Sequence, residues 1–235
     1  MNSYGLKPEE YEKIIHFSAQ IAYPVEDTRL HIQRKLADMF GYDQTIFWYA
    51  DDHGNLTDPI NYKVSDKALT EYLTKYHHYD LLHPSKNVRL FREKKAIRLD
   101  DLVPPMETEK LPFHSYLKEH GYHDEMVVAL IHQEKIVGVI GMAQKKDLYK
   151  FTQKDSYKLQ LLSDVIASVI LHQAKDKGCL LSNREMDVVE LVKKGMTNQA
   201  IANSLHISVN TVKKHLQNIY EKYNVQNRTQ LVQRI

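Results

Sequence analysis

The run "MVVALIHQEKIVGVIGMAQ", residues 126–144, sets the tightest limit on how this chain folds. Two strongly apolar, β-branched segments (126–133 and 136–144) are joined by a tight "QEK" turn, so they pair as an antiparallel hairpin. Helical patterns on either side supply the cover that such a hairpin needs. Residues 8–22 and 26–40 recur at helical spacing, with Ile14, Phe17 and Ile21, then Ile32, Leu36, Met39 and Phe40, as their buried stripes and Gly41 as a stop. "TIFWYA" at 45–50 is a strand and "DDHGN" a turn. A second strand is predicted over 60–64, a helix over about 66–78, a short strand near Ala96–Arg98 and a helix near 113–120. Thr152 caps a long helix, with Asp155 at N3 and Leu162, Val165, Ile166, Val169 and Ile170 as its stripe. The polar "HQAKDKG" (172–178) lacks an apolar face and marks a boundary. Residues 1–171 therefore predict an α+β domain, an antiparallel sheet flanked by helices. Residues 172–179 follow as a linker, and 180–235 carry helical patterns only.

At 235 residues, 43% hydrophobic and 26% charged, the chain has room for two globular domains. No apolar run approaches the roughly 18 residues of a membrane span. The opening "MNSYGLKPEEYEK" lacks the layout of a signal peptide, so a cytoplasmic protein with no membrane partner is expected. The single cysteine, Cys179, excludes an intrachain disulfide and is given no role. The net charge of +2 is unevenly spread. Residues 180–235 hold eight Lys and Arg against four acids, a local +4, which leaves −2 on the remainder. A basic C-terminal segment suits a polyanionic partner.

That segment is well punctuated. Ser182 and Glu185 are spaced as a capping box, Leu181 and Met186 as a hydrophobic staple, and Gly195 ends the helix. A short helix after Thr197 buries Ile201, Ala202 and Leu205; "HIS" makes a tight turn, and Ser208 caps the next helix. In "SVNTVKKHLQNIYEKY" (208–223), Val212, Leu216, Ile219 and Tyr223 line one face. The other face carries Asn210, Lys213, Lys214 and Gln217 at its front and holds Glu221 back to the far end. This order opposes the helix macrodipole, at about 0.3–1 kcal/mol per misplaced charge. A helix-turn-helix explains it, because the second helix enters the major groove by its N-terminal half. Lys meets guanine edges or phosphates there, and Asn or Gln pairs with adenine.

With these elements in view, "LSNREMDVVELVKKGMTNQAIANSLHISVNTVKKHLQNIYEKYNVQNRTQLV" resembles the LuxR-type DNA-binding domain of bacterial transcription factors, a four-helix module with its helix-turn-helix at about 198–218. The resemblance rests on "REMDVVEL", "GMTN", "IA" and "L" three apart, "TVK" followed by His215, and "NRTQ", at fixed spacing through nearly all of 180–235. It implies double-stranded DNA as partner, with Lys213, Lys214 and Gln217 facing bases and Thr197, Asn210 and Thr211 holding phosphates. Ala200 departs from the family's usual acid, which removes a capping-box partner for Thr197.

Three sensor types are weighed for the first domain. A phosphoacceptor receiver is excluded, because the chain opens on two helices and neither "DD" pair (51–52, 100–101) follows a buried parallel strand. An autoinducer-binding domain is compatible in element order, and Tyr72, Tyr76 and Asp80 resemble its pocket motif, although Pro84 lies four residues after the Asp. The preferred reading is GAF-like. Residues 123–170, with "GVIG", "FTQKD" and a terminal helix, are similar to that family's closing hairpin and helix. Trp48, on the opposite sheet face from Phe47 and Tyr49, and Tyr72, Tyr76 and Asp80 are the candidate ligand residues. Asp80 would accept a hydrogen bond from an amide or amine.

The thirteen histidines show no metal-binding spacing and are read as surface groups, so no metal or cofactor is expected. No catalytic constellation emerges. The reading is thus a non-enzymatic, DNA-binding transcriptional regulator, controlled by a small apolar or amphipathic effector. It would act as a homodimer through Leu231, Val232 and the 152–171 helix. The alternatives are a ligand-independent regulator whose first domain only mediates protein contacts, and a small-molecule enzyme with an accessory DNA module.

Overall fold

In the computed structural model the hairpin is the middle of a five-stranded sheet. The structure describes residues 5–23, 25–51, 54–177, 181, 183–223 and 225–235, without the side chains of 105, 173–177 and 183. The chain folds as two units, Met1–Ile170 and Leu171–Ile235, each with its own core.

The first unit opens with α1 (Pro8–Ile21) and α2 (Thr28–Phe40), followed by β1 (Thr45–Ala50), β2 (Leu56–Tyr62), α3 (Asp66–Glu71) and a single π-helical turn, Tyr72–Tyr76. Then come α4 (Val88–Lys94), β3 (Ala96–Arg98), α5 (Pro105–Thr108), α6 (Pro112–Glu119), β4 (Tyr122–His132), β5 (Lys135–Lys145) and α7 (Gln153–Lys177). The strand order is β2-β1-β5-β4-β3, antiparallel throughout, with Met126 opposite Met142 and Val128 opposite Ile140 at the centre.

Strand alternation divides the side chains between two cores. Met126, Val128 and Leu130 join Phe47, Ile140 and Met142 on one face, under Phe17 and Ile21 of α1, Ile32 and Leu36 of α2, and Leu162, Ile166 and Ile170 of α7. Val127 and Ala129 turn to the other face with Trp48 and Val139, against Phe91 of α4 and Phe113, Tyr116 and Leu117 of α6. Many of these side chains are fully buried, and each contributes about 1.5–3 kcal/mol. Two serines on the buried side of α7 bond sheet carbonyls: Ser156 Oγ donates to Ala96 O at 2.9 Å and Ser163 Oγ to Ala129 O at 2.7 Å. At the helix start Thr152 N donates to Asp155 Oδ2 (2.8 Å) and Asp155 N to Thr152 Oγ1 (3.3 Å), a reciprocal capping box. The buried Tyr42 hydroxyl donates to the same Asp155 at 2.7 Å.

Three sequence expectations need correction. The second strand runs over Leu56–Tyr62, earlier than 60–64. Pro59 is tolerated because β2 is an edge strand whose register shifts opposite Phe47 and Tyr49, beside Asp58 at φ 50°. The helix predicted over 66–78 changes to π geometry at Tyr72. The polar segment after residue 171 continues α7 as helix through Lys177, so its lack of an apolar face does not interrupt the helix. Cys179, Ser182 and part of the 51–55 turn lie outside the described residues.

The second unit holds α8 (Asn183–Lys193), α9 (Asn198–Leu205), α10 (Val209–Tyr223) and α11 (Arg228–Arg234) around Val188, Val192, Ile201, Val212, Ile219 and Leu231. Gly195, at φ 74°, closes α8: its N–H reaches Val192 O (2.9 Å) and that of Met196 reaches Leu191 O (3.1 Å). Leu181 packs on this core, whereas Met186 stays 47% exposed.

The β4–β5 turn has only two residues, Gln133 (φ 46°) and Glu134 (φ 64°). Both are left-handed, as a type I′ turn requires, and neither is a residue that favours that region. Replacing them together with Asn-Gly is expected to stabilise the protein by about 1 kcal/mol. Urea unfolding would show a raised midpoint at unchanged slope.

Candidate nucleic-acid interface and sensor cavity

The turn between α9 and α10 aims the outer face of α10. Ile207 N donates to Ala202 O (3.0 Å) and His206 sits left-handed at φ 54°, a helix stop made without glycine. Thr197 Oγ1 accepts from Ala200 N at 3.2 Å, so the cap of α9 forms without an acid at position 200. Ser208 Oγ accepts from Thr211 N at 3.1 Å and lies 2.8 Å from Thr211 Oγ1, which fixes the first turn of α10. Val212, Leu216, Ile219 and Tyr223 are buried, as their spacing predicts. Asn210, Thr211, Lys213, Lys214 and Gln217 all stand exposed on the opposite face, with Thr197 exposed at the start of α9. Gln217 Nε2 reaches Glu221 Oε1 at 3.5 Å, the outer limit of a hydrogen bond.

Below this face the unit is tied by charge. Glu185 is 2% exposed and accepts from Lys222 Nζ at 2.8 Å. Arg228 Nη2 donates to Met196 O at 2.6 Å, pinning the start of α11 beside the loop before α9. Leu231, expected at a dimer contact, is instead fully buried in the unit's own core. Its neighbour Val232 is 49% exposed.

In the first unit a cavity of about 50 Å³ lies on the Trp48 face of the sheet. Of the four predicted ligand residues, Trp48, Tyr72 and Asp80 line it. Tyr76 does not; its ring packs behind the wall, 5.0 Å from that of Tyr116. Asp80 is 3% exposed, and its carboxylate already accepts from the Tyr72 hydroxyl (2.8 Å) and Leu82 N (2.7 Å). Tyr116 and Glu125 also line the cavity, and neither was singled out from the sequence. Glu125 was nonetheless legible by alternation, since an acid two residues before Val127 and four before Ala129 shares their apolar face. It is 8% exposed, and its Oε2 bonds no protein group.

Burial, and after it the charges of Asp80 and Asp124, holds the Glu125 carboxyl well above its ordinary 4.5. Burial likewise raises Asp80, despite the opposing Tyr72 and Leu82 hydrogen bonds. The histidines are not uniformly surface groups. His120 Nε2 lies 2.9 Å from Glu71 Oε2 with its side chain 8% exposed, and a ring nitrogen of His77 and one of His123 are buried without a partner. No group of potential metal ligands occurs among the described residues.

Residues 25–170 match the GAF domain family, and residues 180–235 match the bacterial regulatory proteins of the luxR family. A monoamine regulon transcriptional regulator of Klebsiella aerogenes is 27% identical over 187 residues, 77% of this chain and 79% of that relative. The response regulator VraR of Staphylococcus aureus is 49% identical over 53 residues, 23% of this chain and a quarter (25%) of its own. Among solved structures, Escherichia coli SdiA has a TM-score of 0.50 at 17% identity, covering 95% of this chain and 94% of its own. The GAF domain of a Coxiella burnetii phosphoenolpyruvate-protein phosphotransferase has a TM-score of 0.51 at 18% identity, covering 73% and 97%. The likeness to both structures is one of fold. The chain belongs to the GAF domain family over most of its length and is a LuxR-family DNA-binding transcriptional regulator. Its relatives are transcriptional regulators, and no described helix is long and apolar enough to cross a membrane.

A carboxyl raised by folding keeps its proton in the native state after the unfolded chain has released it. Glu125 therefore costs stability progressively as pH rises from its ordinary 4.5. Glu125→Gln removes that cost. Thermal melts between about pH 4 and 8 should give wild type and variant similar midpoints at the acid end and a higher midpoint for the variant at the alkaline end.

Proposed function

We propose that residues 180–235 read double-stranded DNA through α10, with Lys213, Lys214 and Gln217 at base edges and Thr197, Asn210 and Thr211 on phosphates. The observation that carries this reading is the exposure of all six side chains while the stripe opposite those on α10 is buried. Thr197 and Thr211 sit at the starts of α9 and α10, where unpaired backbone N–H groups favour phosphate. The protein is a cytoplasmic homodimer in this reading and performs no catalysis. With Leu231 buried, the exposed Val232 and the exposed face of α7, including Leu161, are the remaining dimer candidates. Two modules then bind half-sites about one helical turn apart.

Residues 1–171 act as the sensor in this proposal, 172–179 as the linker and 180–235 as the output. A small molecule in the cavity at Trp48, Tyr72 and Asp80 shifts DNA affinity by binding one state of the protein better than another. The relative of Klebsiella aerogenes, named for a monoamine regulon, supports effector control of a chain built this way. One observation favours a second reading. The cavity of about 50 Å³ is far below the several hundred that a drug-sized ligand fills, which suits a first domain that only mediates protein contacts.

The interface is tested with a duplex selected from a random pool by the wild-type protein. Lys213→Ala with Lys214→Ala is expected to weaken binding to it at least tenfold and to lower the salt slope by about one to two. Unchanged affinity and slope would remove α10 from the groove.

A further inference from the structure

The sensor cavity carries acids and no base. Glu125 and Asp80 both line it, and none of its lining residues is Lys, Arg or His. Glu125 Oε2 is enclosed and bonds no protein group, although the residue is more than nine-tenths buried. The titratable groups around it are Asp124 on its own strand, Asp80 ahead of α4, Tyr72 on the π turn, Tyr116 within α6 and Tyr122 at the start of β4. The nearest bases on Asp80's side are His83 and Lys86. Lys86 Nζ is occupied, donating to the backbone carbonyls of His78 (2.6 Å) and Asp80 (2.7 Å).

Aromatic rings complete the wall. Trp48 lies 6.2 Å from Tyr72, Tyr72 is 6.2 Å from Phe113 and 6.3 Å from Tyr116, and all four rings line the cavity. Gly141 leaves its side open, with nothing within 4 Å of where a Cβ would stand. A buried carboxyl without a donor is costly, and ring faces attract cations. What such a site lacks is a positively charged donor with a small apolar body.

We propose that this cavity binds a small organic ammonium ion, its nitrogen held by Glu125 with Asp80 beside it and its carbons among Trp48, Tyr72 and Tyr116. The assignment deepens the sensor reading above and rests on it. A volume of about 50 Å³, against the roughly 10–15 Å³ that one water molecule needs in the same measure, seats an ammonium group with one or two carbons. Longer tails need the wall to yield, and the irregular part of that wall is the π turn that begins at Tyr72, a geometry that recurs at functional sites. Burial favours the protonated form of Glu125 in the empty cavity, so capture of a cation by the ionised carboxylate releases a proton to solvent. Affinity accordingly rises with pH, by up to about tenfold per unit, until the amine itself deprotonates.

Trp48 is the only tryptophan, so its emission reports directly on the cavity. The full-length protein is titrated with ethylammonium chloride, with ethanol as the neutral isostere and with sodium chloride, between about pH 6 and 8. The expected result is a saturable change with ethylammonium alone, tighter at higher pH, and at least tenfold weaker in Glu125→Gln, whose fold is checked by circular dichroism. No saturable change up to about 100 mM would overturn the proposal. So would a pH-independent affinity, or a Glu125→Gln variant that binds as wild type does. An equal response to ethanol would overturn the charge assignment while leaving a ligand sensor in place. Ammonium binding that leaves DNA affinity unchanged would instead retain the site and defeat effector control.

Discussion

The first unit depends on a hairpin that has no solvent-facing side. At the centre of β4 and β5 both faces are apolar, so each face needs its own layer of helix, and the two cores follow from that need. Close packing shows where the strands meet. A Cβ on Gly138 would stand 2.9 Å from the Trp48 carbonyl, so the approach of β5 to β1 depends on its absence. The turn joining the two strands holds two non-glycine residues left-handed, and ladder pairing on either side offsets that strain.

The two faces are covered differently, and the difference places the cavity. Three helices, α1, α2 and α7, close one face with long aliphatic stripes, and α7 is locked further by its serines on sheet carbonyls. The opposite face is closed by short helices, a π turn and irregular chain between Tyr72 and Glu119. Short elements with large rings leave a gap over the small residues Gly141 and Ala143, and Glu125 and Asp80 stand in its wall. Two buried acids beside a gap weaken the resting protein, which is characteristic of a site built for a partner rather than for stability.

In the second unit the same economy of packing exposes a polar, basic face. Burying Val212, Leu216, Ile219 and Tyr223 leaves α10 no orientation except the one with both lysines outward. The Glu185–Lys222 pair places a cation at the far end of α10, where the helix dipole favours one. The lysines at its front, Lys213 and Lys214, lack that benefit, and the proposed groove recognition is what their position would serve.

Much of this was legible in the chain. The limits of β1 and β3, the stripe of α10, the Gly41 and Gly195 stops and the capping box at Thr152 are local events, set by residues within one or two turns of each other. The LuxR-type pattern was legible for the same reason, since its residues lie on short helices at fixed spacing. The early start of β2, the π turn at Tyr72 and the helical continuation of α7 were not. β2 depends on its pairing with β1, and the π turn on the rings that Tyr72 packs against. Tyr76 and Leu231 make the point for single residues: helical spacing suggested the cavity for one, and the other was expected at a dimer surface. Neighbours from α6 and from the second unit's own core claimed them instead. The sequence by itself determined which segments would be helix or strand and which faces would be apolar, because those depend on short-range sterics and periodicity. Only tertiary packing decided that Glu125 and Asp80 would line one unfilled space, because the meeting of two acids forty-five residues apart depends on how the layers close.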